Sequence, residues 1–298
     1  MSSYRFCRTD DVALLVDALN RCWSPYFPDE PPMTPAAFKR SIRDLQVWCS
    51  SCMVAFSGSD PIGVLIGAKR PSGTLVHKIA VHPDHRRQGH GRHLLASLGS
   101  KVAILGPPRI VAEVPGSLAA ACELFRACGY GEEAVLTDYV LERPALTERD
   151  DAARVEGFLI PVTVDDLAAN GLLEEAPPSP SASAGQVHPV CWERSVETLM
   201  ARKDEIAGFA IASDEQIEAC ILYTDDGEIV SLRSFVDDGG ALLKQLLSRV
   251  QAGGKTTFML AKVHPAEISK ELLAMLGFRH AGGHLLYAAT LRQGSGSP

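Results

Sequence analysis

The residues of this 298-residue sequence whose types and spacing could do chemistry gather between His77 and Arg92. Arg86-Arg87-Gln88-Gly89-His90-Gly91-Arg92 places three arginines and two glycines in a short run, after the apolar Ile79-Ala80-Val81 and just before Leu94-Leu95. Glycine has no Cβ, so the backbone there can approach a ligand closely, and the first N–H groups of a following helix have no partner within it. With guanidinium charge alongside, the chemistry is capture of an anion such as a phosphate. Upstream, His77 lies two and four residues before Ile79 and Val81, on the face assigned to them. His82-x-x-His85 and His90-x-x-His93 have spacings that could ligate a metal, but they fall among turn residues and are read as solvent-exposed side chains, so no metal is expected.

The elements that must position this run can be read from periodicity. Residues 4–8 alternate as a strand, and Thr9-Asp10-Asp11 precedes a helix marked by Val12, Leu15, Val16 and Leu19. Four prolines between residues 24 and 32 make an irregular loop carrying Tyr26, Phe27, Asp29 and Glu30, and Thr34-Pro35 opens a second helix. Residues 53–56 and 62–68 read as a hairpin, and residues 74–81 as the next strand, with Leu75, His77, Ile79 and Val81 assigned to one face. A helix follows the glycine run and ends at Gly106-Pro107-Pro108; a strand (109–114), a helix (118–128) and two short strands (134–136 and 139–141) complete the order β-α-α-β-β-β-α-β-α-β-β.

Composition bounds the alternatives. The net charge of −7 is uneven: residues 1–145 carry 16 Lys and Arg against 14 Asp and Glu, whereas residues 146–298 carry 13 against 22. Neither part has a basic stripe interleaved with aromatics, so nucleic acid is not an expected partner. No apolar run approaches the roughly 20 residues that span a bilayer, and the start lacks the apolar core of a signal peptide, which leads to the expectation of a cytoplasmic chain without membrane association. Eight scattered cysteines suit reduced thiols. Cys49-x-x-Cys52 has redox-motif spacing but precedes a strand instead of opening a helix after one.

Residues 4–142 resemble the GNAT family of N-acetyltransferases. The family's acetyl-CoA signature, Gln/Arg-x-x-Gly-x-Gly/Ala, is matched by Arg86-Arg87-Gln88-Gly89-His90-Gly91, its preceding strand end by Ile79-Ala80-Val81-His82-Pro83, and a later segment by Leu124-Phe125-Arg126-Ala127-Cys128-Gly129-Tyr130. The resemblance implies an α/β (α+β) fold and transfer of an acetyl group from acetyl-CoA to an amine acceptor, either a small molecule or a protein N-terminus or lysine. It assigns the backbone of Arg87 to Arg92 to the pyrophosphate, Ile79, Ala80 and Val81 to the pantetheine arm, and the Val81 N–H to the thioester carbonyl. Arg86, Gln88, Gly89, His90, Gly91 and Phe125 belong to the same expected acetyl-CoA site, and members of the family carry a catalytic histidine at the place of His77. Phe125 stands where many members have a proton-donating tyrosine, which leaves water, Tyr130 or Cys122 for that task and raises a second reading, a non-catalytic acyl-CoA-binding module.

The second half echoes the first. Gly277 lies 148 residues after Gly129, and Tyr287 the same distance after Tyr139, as an internal duplication would give. Two tandem domains, 1–145 and 146–298, are expected, each a mixed, mostly antiparallel sheet flanked by helices, with a Pro/Ser/Ala loop near 174–187. At the turn the second copy has Val236-Asp237-Asp238-Gly239-Gly240, whose carboxylates would repel a pyrophosphate, so it reads as degenerate and suited to packing, shaping the acceptor cleft or forming a homodimer.

Overall fold

The computed structural model describes residues 2–142, 157–173 and 191–290. In chain order the elements are β1 (Ser2–Phe6), α1 (Val12–Cys22), α2 (Pro35–Leu45), β2 (Met53–Ser57), β3 (Asp60–Arg70), β4 (Gly73–Val81), α3 (His90–Leu105), β5 (Arg109–Pro115), α4 (Ala119–Ala127) and β6 (Gly131–Glu142). They continue with β7 (Phe158–Val162), α5 (Val164–Ala169), α6 (Val196–Ala201), β8 (Ile206–Ala212), β9 (Ile217–Thr224), β10 (Ile229–Ser234), α7 (Ala241–Gln251), β11 (Thr257–Val263), α8 (Lys270–Met275) and β12 (Arg279–Thr290). The expected boundary at 145/146 and the Pro/Ser/Ala loop fall outside the described residues. No helix among those residues is long and apolar enough to cross a membrane.

Two compact units form, and they do not follow a single cut in the sequence: Met1–Ala134 joins Leu285–Pro298, and Val135–His284 makes the other. The last strand of each repeat is therefore divided. Residues 135–142 of β6 pair antiparallel with β11 in the second unit, and residues 285–290 of β12 lie beside β5 in the first.

In the first unit the strand order is β1-β2-β3-β4-β5-β12, antiparallel from β1 to β4 and parallel between β4 and β5. The parallel pairing is short. Thr74↔Ile110 and Leu75↔Val111 are the matched pairs, so the end of β4 at Ile79–Val81 runs beyond this pairing with β5. Helices α3 and α4 cover one face through Leu94, Leu95, Leu98, Val102, Cys122 and Phe125, which join Met53, Leu65, Val76, Ile110 and Tyr287 in one apolar cluster. This is the amphipathic spacing of α3 meeting the alternation of the strands.

The second unit repeats the plan. Strands β10-β9-β8-β7 form an antiparallel sheet, and Glu228, just before β10, makes a parallel bridge to Met259 of β11. Leu242, Leu243, Leu246, Leu247 and Val250 of α7 pack on Ile221, Ile229, Leu232, Phe258 and Leu260, while α5 and α6 supply Val164, Leu167 and Leu199 to a second cluster with Ala210, Cys220 and Val230.

Three sequence expectations are corrected here. The two short strands at 134–136 and 139–141 are one strand, β6. Asp138, between them, is held inside it: its carboxylate accepts the Lys262 N–H at 2.8 Å and meets His284 at 3.3 Å. Leu75 and Ile79 do not share a face: the register of β4 against β3 jumps from Val76↔Gly67 to Lys78↔Ile66, so His77 is the extra residue of a β-bulge and the two-residue alternation is lost there. Val76 and Ile79, three residues apart, accordingly pack against the same cluster. Asp11 supplies no side-chain cap to α1, because its carboxylate binds the Arg5 guanidinium at 2.8 and 3.0 Å and the Arg8 N–H at 2.7 Å.

Candidate functional site

The open side of β4 and the start of α3 meet in the turn from His82 to Gly89. The His82 N–H donates to the Ile62 carbonyl across the β3–β4 pair at 2.9 Å. Neighbouring strand residues point their backbone groups to opposite edges, so Val81 directs its own toward the unpaired side. There the Tyr26 hydroxyl donates to the Val81 carbonyl at 2.6 Å, which marks the open edge and leaves the Val81 N–H facing the same way. Ile79 has the same parity as Val81, whereas Ala80, matched with Val64, turns toward β3. Of the three expected strand residues, Ile79 and Val81 thus present backbone groups to the gap.

Arg87 and Gly89 both take positive φ, 61° and 85°, and bend the chain sharply into α3. Gly89 is the N-cap, and no side chain caps the helix, so its first N–H groups are offered outward. A Cβ built on Gly89 would meet nothing within 4 Å. The space beside these N–H groups is open to a ligand. Arg87, Gln88 and Arg92 are exposed around it. Arg86 is engaged otherwise: its Nε donates to the Tyr26 hydroxyl and its guanidinium lies 4.2 Å from the Tyr26 ring centroid. Burial pushes the Tyr26 phenol above its ordinary pKa, opposed by the Arg86 charge.

Two residues of the signature do something other than the sequence suggested. Gly91, already inside the helix, turns its Cβ position toward α4, where a methyl would sit 3.0 Å from Leu124 Cδ2. It serves close helix packing, and only its N–H belongs to the turn. His90 is 5% exposed instead of solvent-facing. Its Nδ1 is bonded to the Tyr4 hydroxyl at 2.7 Å, and burial, followed by the nearby His85 and His93, pulls its pKa below the usual value. Among the described residues no group of three or more His, Cys, Asp and Glu is arranged to hold a metal ion.

Phe125 is enclosed in the core, edge-on to Tyr130 at 5.2 Å and stacked on Tyr287 at 5.7 Å between centroids. Burial raises the pKa of both phenols, so both keep their protons through the neutral range. Tyr287 comes from the far end of the chain and reaches this core because residues 285–290 belong to the first unit. Sequence reading used Tyr287 only as a mark of duplication; its approach to Phe125 had no local signal. Cys122 is buried nearby and, after burial, adds to the upward push on the Tyr287 phenol. All eight cysteines are free thiols, and burial pushes that of Cys7 up to about 12.

The loop after α1 lies against β4. Trp23 donates its indole N–H to Glu30 at 3.0 Å, and the Lys78 ammonium lies 3.9 Å from the Trp23 ring centroid and 4.0 Å from the Glu30 carboxylate. Asn20 fixes the loop by bonding the Met33 carbonyl and N–H at 2.9 and 2.7 Å.

In the second unit the corresponding turn is closed. Gly239 and Gly240 have φ of 65° and 87°, and Gly240 is the N-cap of α7. Here the Asp238 carboxylate accepts the Gly240 N–H at 3.0 Å and the Leu242 N–H at 2.6 Å. At the end of β11, the buried Arg194 guanidinium donates to Glu267 and to the Lys262 carbonyl, and Lys262 itself has a strained φ of 53°.

The profile of the acetyltransferase (GNAT) family matches residues 13–130. The [ribosomal protein bS18]-alanine N-acetyltransferase of Escherichia coli (strain K12) is 38% identical over 74 residues, which is 25% of this chain and 48% of that protein. The chain thus spans about half the length of the curated relatives it matches. Among solved structures, a GCN5-related N-acetyltransferase from Sphaerobacter thermophilus aligns over 97% of this chain and 95% of its own with a TM-score of 0.64 and 15% identity. A tandem GNAT protein from the clavulanic acid biosynthesis pathway aligns over 97% and 98% with a TM-score of 0.61 and 17% identity. At these identities the structures speak for the fold alone, two GNAT-like domains across nearly the whole chain. Residues 13–130 form an acetyltransferase domain of the GNAT family.

Proposed function

We propose that the first unit transfers an acetyl group from acetyl-CoA to a primary amine by direct attack in a ternary complex. The observation that carries this reading is the uncapped start of α3, with open space at Gly89, next to the end of β4 that runs beyond its pairing with β5. A diphosphate fits there: the N–H groups of residues 88–92 supply directed donors, Arg87 and Arg92 add charge, and the helix dipole contributes about 0.3–1 kcal/mol. Bound acetyl-CoA supplies the activated acyl group. The Val81 N–H, held on the open edge by the Tyr26 bond to its carbonyl, is the donor for charge developing on the acyl oxygen.

His77, set apart from the strand by its bulge, is the candidate base for the acceptor amine. Phe125 has no proton to give a departing thiolate. The protonated phenols packed on it, Tyr130 and Tyr287, and the neighbouring Cys122 are the side-chain donors at hand. The acceptor class extends from the similar E. coli protein, whose name gives a ribosomal-protein alanine, to protein N-termini, lysines or small amines here. The second unit does not bind coenzyme A in this way, because Asp238 already occupies the donors of α7.

The test is thiol release from acetyl-CoA with a panel of peptides and amines, run beside calorimetric binding of coenzyme A. Release that depends on the amine supports the proposal. Tight coenzyme A binding without release from any amine would replace it with the non-catalytic module.

A further inference from the structure

We propose that Trp23 and Glu30 form a recognition site for an aliphatic ammonium group, which the protein's own Lys78 occupies in this structure and which the acceptor takes by displacing it. The word acceptor rests on the acetyltransferase reading; the cation site stands on its own geometry. Lys78 Nζ lies 3.9 Å from the centroid of the Trp23 ring and 4.0 Å from Glu30 Oε2. The Trp23 indole N–H donates to the same carboxylate at 3.0 Å, and Phe27 stacks on Trp23 at 4.4 Å. Ring and carboxylate are therefore fixed to each other before any ligand arrives. Leu19, Asn20, Pro31 and Met33 line the small cleft around them.

An aromatic face and a carboxylate converging on one point are the recognition set for an ammonium ion. Lys78 reaches that point because the bulge at His77 resets the alternation of β4, so that residue 78 turns to the side of α1. The same turn is anchored to the end of β4 by the Tyr26 bond to the Val81 carbonyl. The cleft is thereby tied to the strand edge assigned to the acyl group. A tethered ammonium competes at high effective concentration, so an incoming cation must displace it. The acceptor class that follows is an amine presented on an aliphatic chain and protonated when it docks.

The experiment titrates the full chain with n-butylammonium chloride, with 1-butanol as the neutral isostere, following the Trp23 indole N–H by NMR. Butylammonium is expected to shift that resonance and butanol to leave it in place. Lys78→Met should tighten butylammonium about tenfold and Glu30→Gln should weaken it about tenfold. An equal response to both probes, or a Lys78→Met protein that binds no better, overturns the inference. Lys78→Gln provides a second removal of the charge, and the indole signals of Trp48 and Trp192 report whether each variant is folded. Amine binding without acetyl transfer would leave this site standing and remove the acetyltransferase reading. Acetyl transfer with an unmoved Trp23 signal would do the opposite.

Discussion

The N-termini of α3 and α7 begin alike and end their comparison in opposite chemistry. Both follow a glycine N-cap with nearly the same left-handed φ, 85° at Gly89 and 87° at Gly240. Two positions earlier, the first has Arg87 and the second has Asp238. In α7 that carboxylate accepts two N–H groups of the helix start, whereas α3 has no side-chain cap. A helix start needs an anion-like partner. One repeat carries its own and the other supplies none from a side chain.

The comparison can be broken most severely by moving the charge. Arg87→Asp should lower coenzyme A affinity about 100-fold, since it deletes a charge-assisted bond and adds a repelling carboxylate; calorimetric titration checks this, and unchanged affinity would remove the phosphate assignment. Next in size is Gly240→Ala. Its Cβ would stand 2.5 Å from Leu272 Cδ1 at a left-handed φ, so a loss of about 2–3 kcal/mol is expected in urea unfolding of the second unit. The partner substitution Gly89→Ala meets open space and should cost only about 1 kcal/mol of backbone strain. Asp238→Ala, which removes the internal cap, should cost about 1 kcal/mol without creating coenzyme A binding, because no arginine replaces it.

The smallest effect separates the two helices by pH. His90 is the first residue of α3, where α7 has Ala241. Burial lowers the His90 pKa from its ordinary 6.5, so the unfolded chain takes up this proton more readily than the folded one. The contribution to stability is present above about pH 6.5 and is lost as pH falls toward the lower folded value. The melting temperature of the first unit should decline through that window, and His90→Gln should flatten the decline.

Much of this was legible in the sequence for a physical reason. Gly89 follows an apolar strand and precedes Leu94 and Leu95, and each local signal points to the same strand-turn-helix. The element order of residues 4–142 follows from such local patterns, apart from the division of β6. The role of Gly91 was not legible, since only the three-dimensional approach of Leu124 gives it. Nor was the face of Lys78, because a bulge leaves no mark in a period-two pattern. Tyr287 and Phe125 lie 162 positions apart, and their stacking depends on which unit the last strand joins.

That division of the last strands also sets an order on synthesis. Chains emerge from the ribosome N-terminus first and commonly fold a domain as soon as its residues are out. The first unit has no such option, because β12 is the final described element and Tyr287 fills its core. A nascent chain halted after Glu142 would carry the glycine turn but expose the apolar faces of Phe125 and Tyr130. The repeat that carries the glycine turn, although made first, reaches its finished form only after the other repeat has been translated.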